Sequence, residues 1–272
     1  MIAEKIELLG KGLYTDIPNE LTLNAIPTVS ELDYVGSEDF EATMLDKILP
    51  AAVEEKINFH KLLEIDFTWV CRCLRFLNYG PFYTTPSIFC DKCGQVSGSA
   101  MVDLRTVGCT PLPEGFTNDI VIKKDEFIDF KEDVHMKLLT IQERINAFKD
   151  PLFTSNGKVN REYARLCYSI TSIGHDKAVT PMEVKTTIEK KMSRADYLIL
   201  LDVSKELTNY GLRAGGSTTC PRCGGKAAFI ALVDDRFLRP TVGDLRKWKH
   251  DRSSRRDKDV CRNTSKNVRD NN

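Results

Sequence analysis

The sequence has no run approaching the roughly 20 consecutive apolar residues that a membrane-spanning helix needs. Its start, Met1-Ile2-Ala3-Glu4-Lys5, lacks the basic-then-apolar order of a signal peptide. The expectation is a cytosolic chain with no membrane partner. Net charge is also lacking: 39 Lys and Arg balance 39 Asp and Glu, so no global field draws nucleic acid and no acidic excess argues for disorder. There is no Gly-rich phosphate loop, no nucleophile elbow and no His-Glu-x-x-His. The four histidines, His60, His135, His175 and His250, are scattered and are expected to be ordinary surface or hydrogen-bonded residues, with no enzymatic role for the chain. Nine cysteines in 272 residues is an odd number and too dilute for a small secreted disulfide scaffold; they are expected to be thiols or thiolates.

Four of those cysteines form two pairs, Cys90-Asp91-Lys92-Cys93-Gly94 and Cys220-Pro221-Arg222-Cys223-Gly224. Zinc favours four thiolates in a tetrahedron. Cys-x-x-Cys turns two sulfurs toward one metal, and a glycine after the second relieves crowding. One structural zinc on Cys90, Cys93, Cys220 and Cys223 is therefore expected, with Cys109 and Cys261 in reserve. The competing readings are reduced pairs in hairpin turns or a redox pair. A thioredoxin-like pair, however, opens a helix within a βαβ pattern, and these two fall between strands.

Along the chain, residues 1–29 are turn-rich and suggest an extended arm, with Leu21–Ile26 a strand in the protein's own sheet or added to a neighbour's edge. Ser30 and Ser37 are plausible N-caps; the helix after Ser37 carries Phe40, Met44, Leu45 and Ile48 and should stop near Pro50. Asp66 is placed to cap a helix through Leu77 that closes at Asn78-Tyr79-Gly80. Cys71 and Cys73 inside it are expected to pack rather than bind metal. From Ser87 the period becomes two, with Gly98, Ala100, Val102 and Leu104 as one half-buried strand. Strands are expected at 119–122 and 135–139, a capping-box helix from Thr140-Ile141-Gln142-Glu143 to about Phe148, and a helix through Tyr163, Leu166, Cys167, Ile170 and Ile173 to Gly174. Further helices should start at Thr180-Pro181 and at Ser193.

The second of these ends in Asn209-Tyr210-Gly211, as the earlier one ends in Asn78-Tyr79-Gly80. Each Asn-Tyr-Gly leads, after nine or ten residues, into a cysteine pair and then an alternating strand. The chain thus repeats one unit of helix, cap, strand, metal knuckle and strand. The fold class that follows is α+β: zinc-ribbon-like β hairpins from two repeated units joined by a mainly helical insertion at about 105–205, flanked by N-terminal helices. The divisions are an arm (1–29), a zinc-clipped domain (30–240) and a basic C-terminal tail (241–272), expected to be disordered alone. From Arg246 to Asn272 ten Lys or Arg stand against four Asp. Such a segment suits a solubilising terminus or an arm that orders on a partner, with Trp248 as a natural anchor.

Several segments carry a resemblance: Arg75-Phe76-Leu77-Asn78-Tyr79-Gly80-Pro81, Leu112-Pro113-Glu114-Gly115, Leu138-Leu139-Thr140, Cys220-Pro221-Arg222-Cys223-Gly224 and Phe237-Leu238-Arg239-Pro240. Over residues 15–240 the chain resembles baseplate hub proteins of T-even-type contractile-tailed bacteriophages and related tail-assembly proteins. The resemblance implies a virion protein of the tail baseplate, made in the host cytoplasm, without enzymatic activity and partnered by other tail subunits. The tail after Pro240 is longer than the family pattern. The other class that fits is a zinc-ribbon nucleic-acid-binding protein presenting Lys92, Arg222, Lys226 and the basic tail to phosphates, against which stand the neutral net charge and the lack of aromatics among those cations.

Overall fold

Short alternating runs between turns give antiparallel ribbons and longer runs of 3.6 period give helices. The computed structural model, which describes residues 3–27, 30, 39–94, 96–97, 100–174, 176–177, 179–234 and 236–254, accordingly mixes α-helix with small antiparallel sheets. Contacts divide it into two units, called outer and inner only for their order along the chain: the outer is Met1–Phe59, Ile65–Pro111 and Gly211–Asn272, and the inner is His60–Glu64 and Leu112–Tyr210.

The outer unit begins with β1 (Glu4–Glu7) and β2 (Glu20–Leu23), an antiparallel ribbon that buries Leu21 and Leu23 in its own unit. Of the alternatives for the arm, the self-packed one is seen. The cap expected of Ser37 lies outside the described residues, as do the neighbours of Ser30; the cap observed is Asp39, whose carboxylate accepts from the Ala42 amide at 3.1 Å. The helix does not stop at Pro50. It runs as α1 (Phe40–Thr43), a π-helical turn (Met44–Ile48) and α2 (Leu49–Ala52). A proline inside an α-helix removes a donor and crowds the carbonyl four residues back, and here it falls in the first turn after the ladder has widened to π spacing.

Helix α3 (Glu64–Tyr79) buries Phe67, Val70, Cys71, Cys73 and Leu74, so both cysteines are packing residues. Asp66 does not cap it. The helix starts two residues earlier, and the buried Asp66 carboxylate instead accepts from the Leu9 and Gly10 amides and the Tyr14 hydroxyl. The helix closes where Gly80 turns into positive φ (74°) and donates to Phe76. Next come β3 (Phe82–Thr85), β4 (Ile88–Cys90), β5 (Val96–Ser97), β6 (Ala100–Asp103) and β7 (Cys109–Thr110). The strand expected over 98–104 appears as β6, which pairs with β3 and not across the knuckle; the partner of β4 across the knuckle is the shorter β5, before that stretch.

In the inner unit, β8 (Ile120–Ile122) and β9 (Val134–Met136) join β12 (Ile170–Ile173) and β13 (Asp176–Lys177) in a sheet of order β13-β12-β9-β8, while β10 (Thr154–Ser155) and β11 (Lys158–Val159) form a small hairpin. Helices α4 (Ile141–Lys149) and α6 (Pro181–Lys191) open with complete capping boxes on Thr140 and Thr180, and α7 (Arg194–Thr208) opens on Ser193, as the sequence predicts. Helix α5 (Arg161–Ser169) ends earlier than expected. Apolar residues at 166, 167, 170 and 173 satisfy a helical period, but the β-branched run Ile170-Thr171 finds β9 alongside and is extended. The insertion therefore carries a four-stranded sheet as well as four helices.

Asp196, at the third position of α7, accepts from the Ile128, Asp129 and Phe130 amides and the Ser193 hydroxyl. Burial opposes its ionisation, yet those donors, the Ile128 amide foremost, hold the carboxyl below its usual value. Asp66 has one amide donor fewer, and burial wins there, so its carboxyl is raised despite the Tyr14 hydroxyl and the two amides. The two therefore affect stability oppositely. Asp196 adds stability above the unfolded carboxylate value of about 3.9 and loses it as pH falls through the lower folded value. The contribution of Asp66 is full below that unfolded value and lost as pH rises through the raised folded one. Urea midpoints measured from acid to neutral pH are expected to show Asp196→Asn flattening the acid limb and Asp66→Asn flattening the loss toward neutrality. Unaltered profiles would refute both assignments.

The chain returns to the outer unit with β14 (Gly211–Leu212) against β7, then β15 (Gly215–Thr219), β16 (Lys226–Ile230) and α8 (Val242–Ser254). The start of the expected disordered tail is thus a helix, because Thr241 and Asp244 cap its first turn reciprocally at 3.1 and 2.8 Å. Trp248 faces inward over Gly80, where a Cβ would meet its ring at 2.3 Å. This tryptophan packs against its own chain at that point. Residues 255–272, including Cys261, lie outside the described residues.

Candidate metal centre

Both knuckles hang from one sheet of order β15-β16-β4-β5. Its central seam pairs β16 with β4, placing Ala227 opposite Cys90 and Ala228 opposite Phe89. The hairpin containing Cys90 and Cys93 is thereby hydrogen-bonded to the one containing Cys220 and Cys223, although 130 residues separate them in the chain.

The knuckles share a local geometry. Gly94 donates its amide to the Cys90 carbonyl and Gly224 to that of Cys220, each at 2.9 Å. Both glycines have positive φ, 60° and 68°, with open space where a Cβ would stand, so glycine is required for conformation and not for room. Gly225 is needed for room: a Cβ would lie 3.0 Å from Lys92 and 3.3 Å from the Cys223 sulfur.

The four sulfurs lie within 4.8 Å of one another, Cys90 and Cys223 being 3.4 Å apart, and they form the one such cluster among the described residues. A tetrahedral ion with metal–sulfur bonds of about 2.3 Å needs sulfurs about 3.8 Å apart, which these separations bracket. The cluster can hold a metal ion. Cys90 and Cys220 are buried, Cys223 is half-buried and Cys93 is exposed. The Cys90 thiol is lowered to about 7, chiefly by the Cys93 amide and further by the Cys223 thiol and the Lys92 amide. The Cys223 thiol is pushed up to about 11: the Gly225 amide favours its thiolate, but the neighbouring Cys90 opposes a second charge. A cation among the sulfurs removes that opposition.

Cys109, named as a reserve ligand, is not in the cluster. It sits on β7, where burial pushes its thiol up to about 11. Among the described residues no histidine joins it: Nδ1 of His60 is 2.6 Å from Gln142 and Nδ1 of His135 is 2.9 Å from Asp119; His175 lies outside them.

The repeat is longer than its motifs suggest. Asp66-Phe67 and Asp196-Tyr197 each stand 24 residues before the first cysteine of their pair, and each aspartate holds backbone amides of a distant loop. Beyond the knuckles, Asp103 and Asp234 accept from the amide two residues on, Arg105 at 2.9 Å and Arg236 at 3.0 Å. The acidic residue at constant distance was the available signal, hidden because aspartate at a helix start has an obvious local use.

Two segments that carried the family resemblance meet in the outer unit. Arg75, fully buried, donates from its guanidinium to the carbonyls of Phe82 and Phe237 and stacks between the rings of Tyr83 and Phe237, 5.3 and 5.5 Å away. No protein-family model matches this chain, and no curated protein or solved structure matches it. What is defined here is an α+β chain with a four-cysteine cluster able to bind metal.

Proposed function

We propose that Cys90, Cys93, Cys220 and Cys223 hold one zinc ion as a structural staple in a zinc-ribbon-like pair of hairpins. We further propose that the chain is a non-enzymatic subunit of a contractile phage tail baseplate, at its central hub or in its assembly. The convergence of four sulfurs from two matched knuckles carries the zinc reading. All four positions are then sulfur and none is open to water or substrate, which suits a staple and not a catalyst. The family resemblance supports the baseplate setting, with synthesis in the host cytoplasm and other tail subunits as partners. Mass spectrometry of purified tailed particles tests the setting: the chain, or its specific capture by tail subunits, is expected, and absence from both would end it.

A second reading, a nucleic-acid-binding zinc ribbon, is favoured by one observation. Phe89 is 51% exposed and lies on the same face of the sheet as Lys226, with Lys92 and Arg222 exposed at the knuckles. A zinc tetrathiolate, however, carries two negative charges that offset these cations, so the assembly reading stands first. Binding to single-stranded oligonucleotide that weakens steeply with salt would reverse that order; no shift at moderate salt is expected.

A further inference from the structure

Three arginines of the inner unit gather on one phenylalanine. The guanidinium carbons of Arg144 on α4 and of Arg161 and Arg165 on α5 stand 5.6, 5.3 and 5.5 Å from the centre of the Phe148 ring. A ring has two faces, so at least two of these cations share one. Glu64 answers two of the three: both its oxygens accept from Arg165, one of them at 3.0 Å, and Nε of Arg144 stands 3.5 Å from it. Arg144 has further contacts and is held by its own protein. Arg161 is exposed, and its side chain makes no hydrogen bond or ion pair among the described residues. The neighbouring carboxylates are committed elsewhere: Asp150 accepts from the Leu152 amide and the Tyr168 hydroxyl, and Glu162 is 3.1 Å from Lys205.

This arrangement works against the electrostatics of its own helix. Arg161 is the first residue of α5, directly after the Asn160 cap, where the helix dipole presents its positive end and a cation is unfavourable. Arg165 lies four residues on, and like charges at that spacing repel. Attraction to the Phe148 face offsets part of the cost. Each guanidinium carries five N–H donors in a rigid fork. Glu64 takes two from Arg165, none of those on Arg161 is taken, and neither residue has a buried donor left unpaired. The unused donors therefore reach water, from which an anion can approach.

We propose that Arg161 and Arg165, backed by Phe148, form a site for a phosphate group. A guanidinium fork matches two oxygens of a phosphate, and the dianion brings enough charge to relieve the repulsion between two arginines while complementing the amino end of α5. A single carboxylate brings one charge, and Glu64 already fills that role beside Arg165. The same chemistry recognises the free ion and an ester on a nucleotide chain. The site involves no residue of the cysteine cluster, so it stands or falls independently of zinc and of the baseplate setting.

Isothermal titration calorimetry of the full chain with inorganic phosphate, at an ionic strength held constant with chloride, tests it. Saturable binding of about one equivalent is expected, with Kd on the order of 1 mM or below. Arg161→Gln should weaken it at least about tenfold, and Arg161→Lys, which keeps the charge but loses the fork, should fall between that variant and the parent. In phosphate-free buffer Arg161→Gln should melt at or above the parent, because it removes a like-charge contact. Oligo-dT separates the two sources: competition with inorganic phosphate that disappears in Arg161→Gln places the group on a nucleotide chain, whereas phosphate binding that oligo-dT does not disturb leaves the free ion as the ligand. A response to phosphate no larger than that to chloride would overturn the proposal, as would parent-like binding by Arg161→Gln. So would Arg161→Gln melting well below the parent without phosphate, which would make Arg161 a structural member of the Phe148 stack.

Discussion

Cys93→Ser is expected to destabilise the chain about as much as Cys220→Ser, lowering the thermal midpoint by roughly 10 °C. Cys93 is exposed, and an exposed cysteine with no ligand role tolerates serine within about 0.5 kcal/mol. Cys220 is buried, so its loss is ambiguous between packing and metal; the exposed partner separates the two. The metal-bound state gains its binding free energy only when folded. Each serine should therefore also reduce bound zinc from about one equivalent to below half, and chelation of the unaltered protein should reproduce the lower melt. Cys109→Ser, outside the cluster, should leave zinc content intact. A Cys93→Ser protein that melts like the parent would remove the staple from the account.

The second large effect is expected at Asp244→Ala, with a loss of about 3–5 kcal/mol. Asp244 and Arg75 are 1% and 0% exposed and stand 3.7 Å apart. Removing the carboxylate leaves the guanidinium buried without its anion and strips acceptors from the Thr84 hydroxyl, 2.7 Å away, and the Thr241 amide. Breaking one side of a buried pair is dearer than removing both, so Arg75→Met on top of Asp244→Ala should recover part of the loss. Trp248 fluorescence reports the same event, because the ring leaves Gly80 when α8 detaches. Equal stability of the single and parent chains in denaturant would show that Asp244 does not hold the helix.

Where local chemistry decides structure, the sequence is legible. Thr140, Thr180 and Ser193 cap the helices they precede because a hydroxyl three residues before an acceptor-seeking amide is a local arrangement. Gly94 and Gly224 end their knuckles in positive φ for the same reason. Where a distant segment supplies the hydrogen bonds, it is not. Ile170–Ile173 continues a helical period but is claimed by β9, and β6 pairs with β3 and not across the knuckle. Pro50 is harmless because a π turn precedes it, and nothing in the residue pattern announces that turn. Trp248 stands in a charged stretch, and only Gly80, far away in the chain, shows where its ring packs.

The two cysteine pairs, the glycines after them and the recurring Asn-Tyr-Gly are determined by the sequence alone, as is the basic charge gathered from Arg246 onward. They are features of composition and spacing, which need no partner to exist. Only the tertiary structure decided that the four sulfurs meet, because the seam between β16 and β4 joins hairpins 130 residues apart through backbone bonds that any side chains could accompany. It alone decided which face of α8 is anchored. A helix with cations around most of its circumference has no apolar stripe to announce its inner side, and the choice fell to one buried aspartate, one arginine and the space above a glycine.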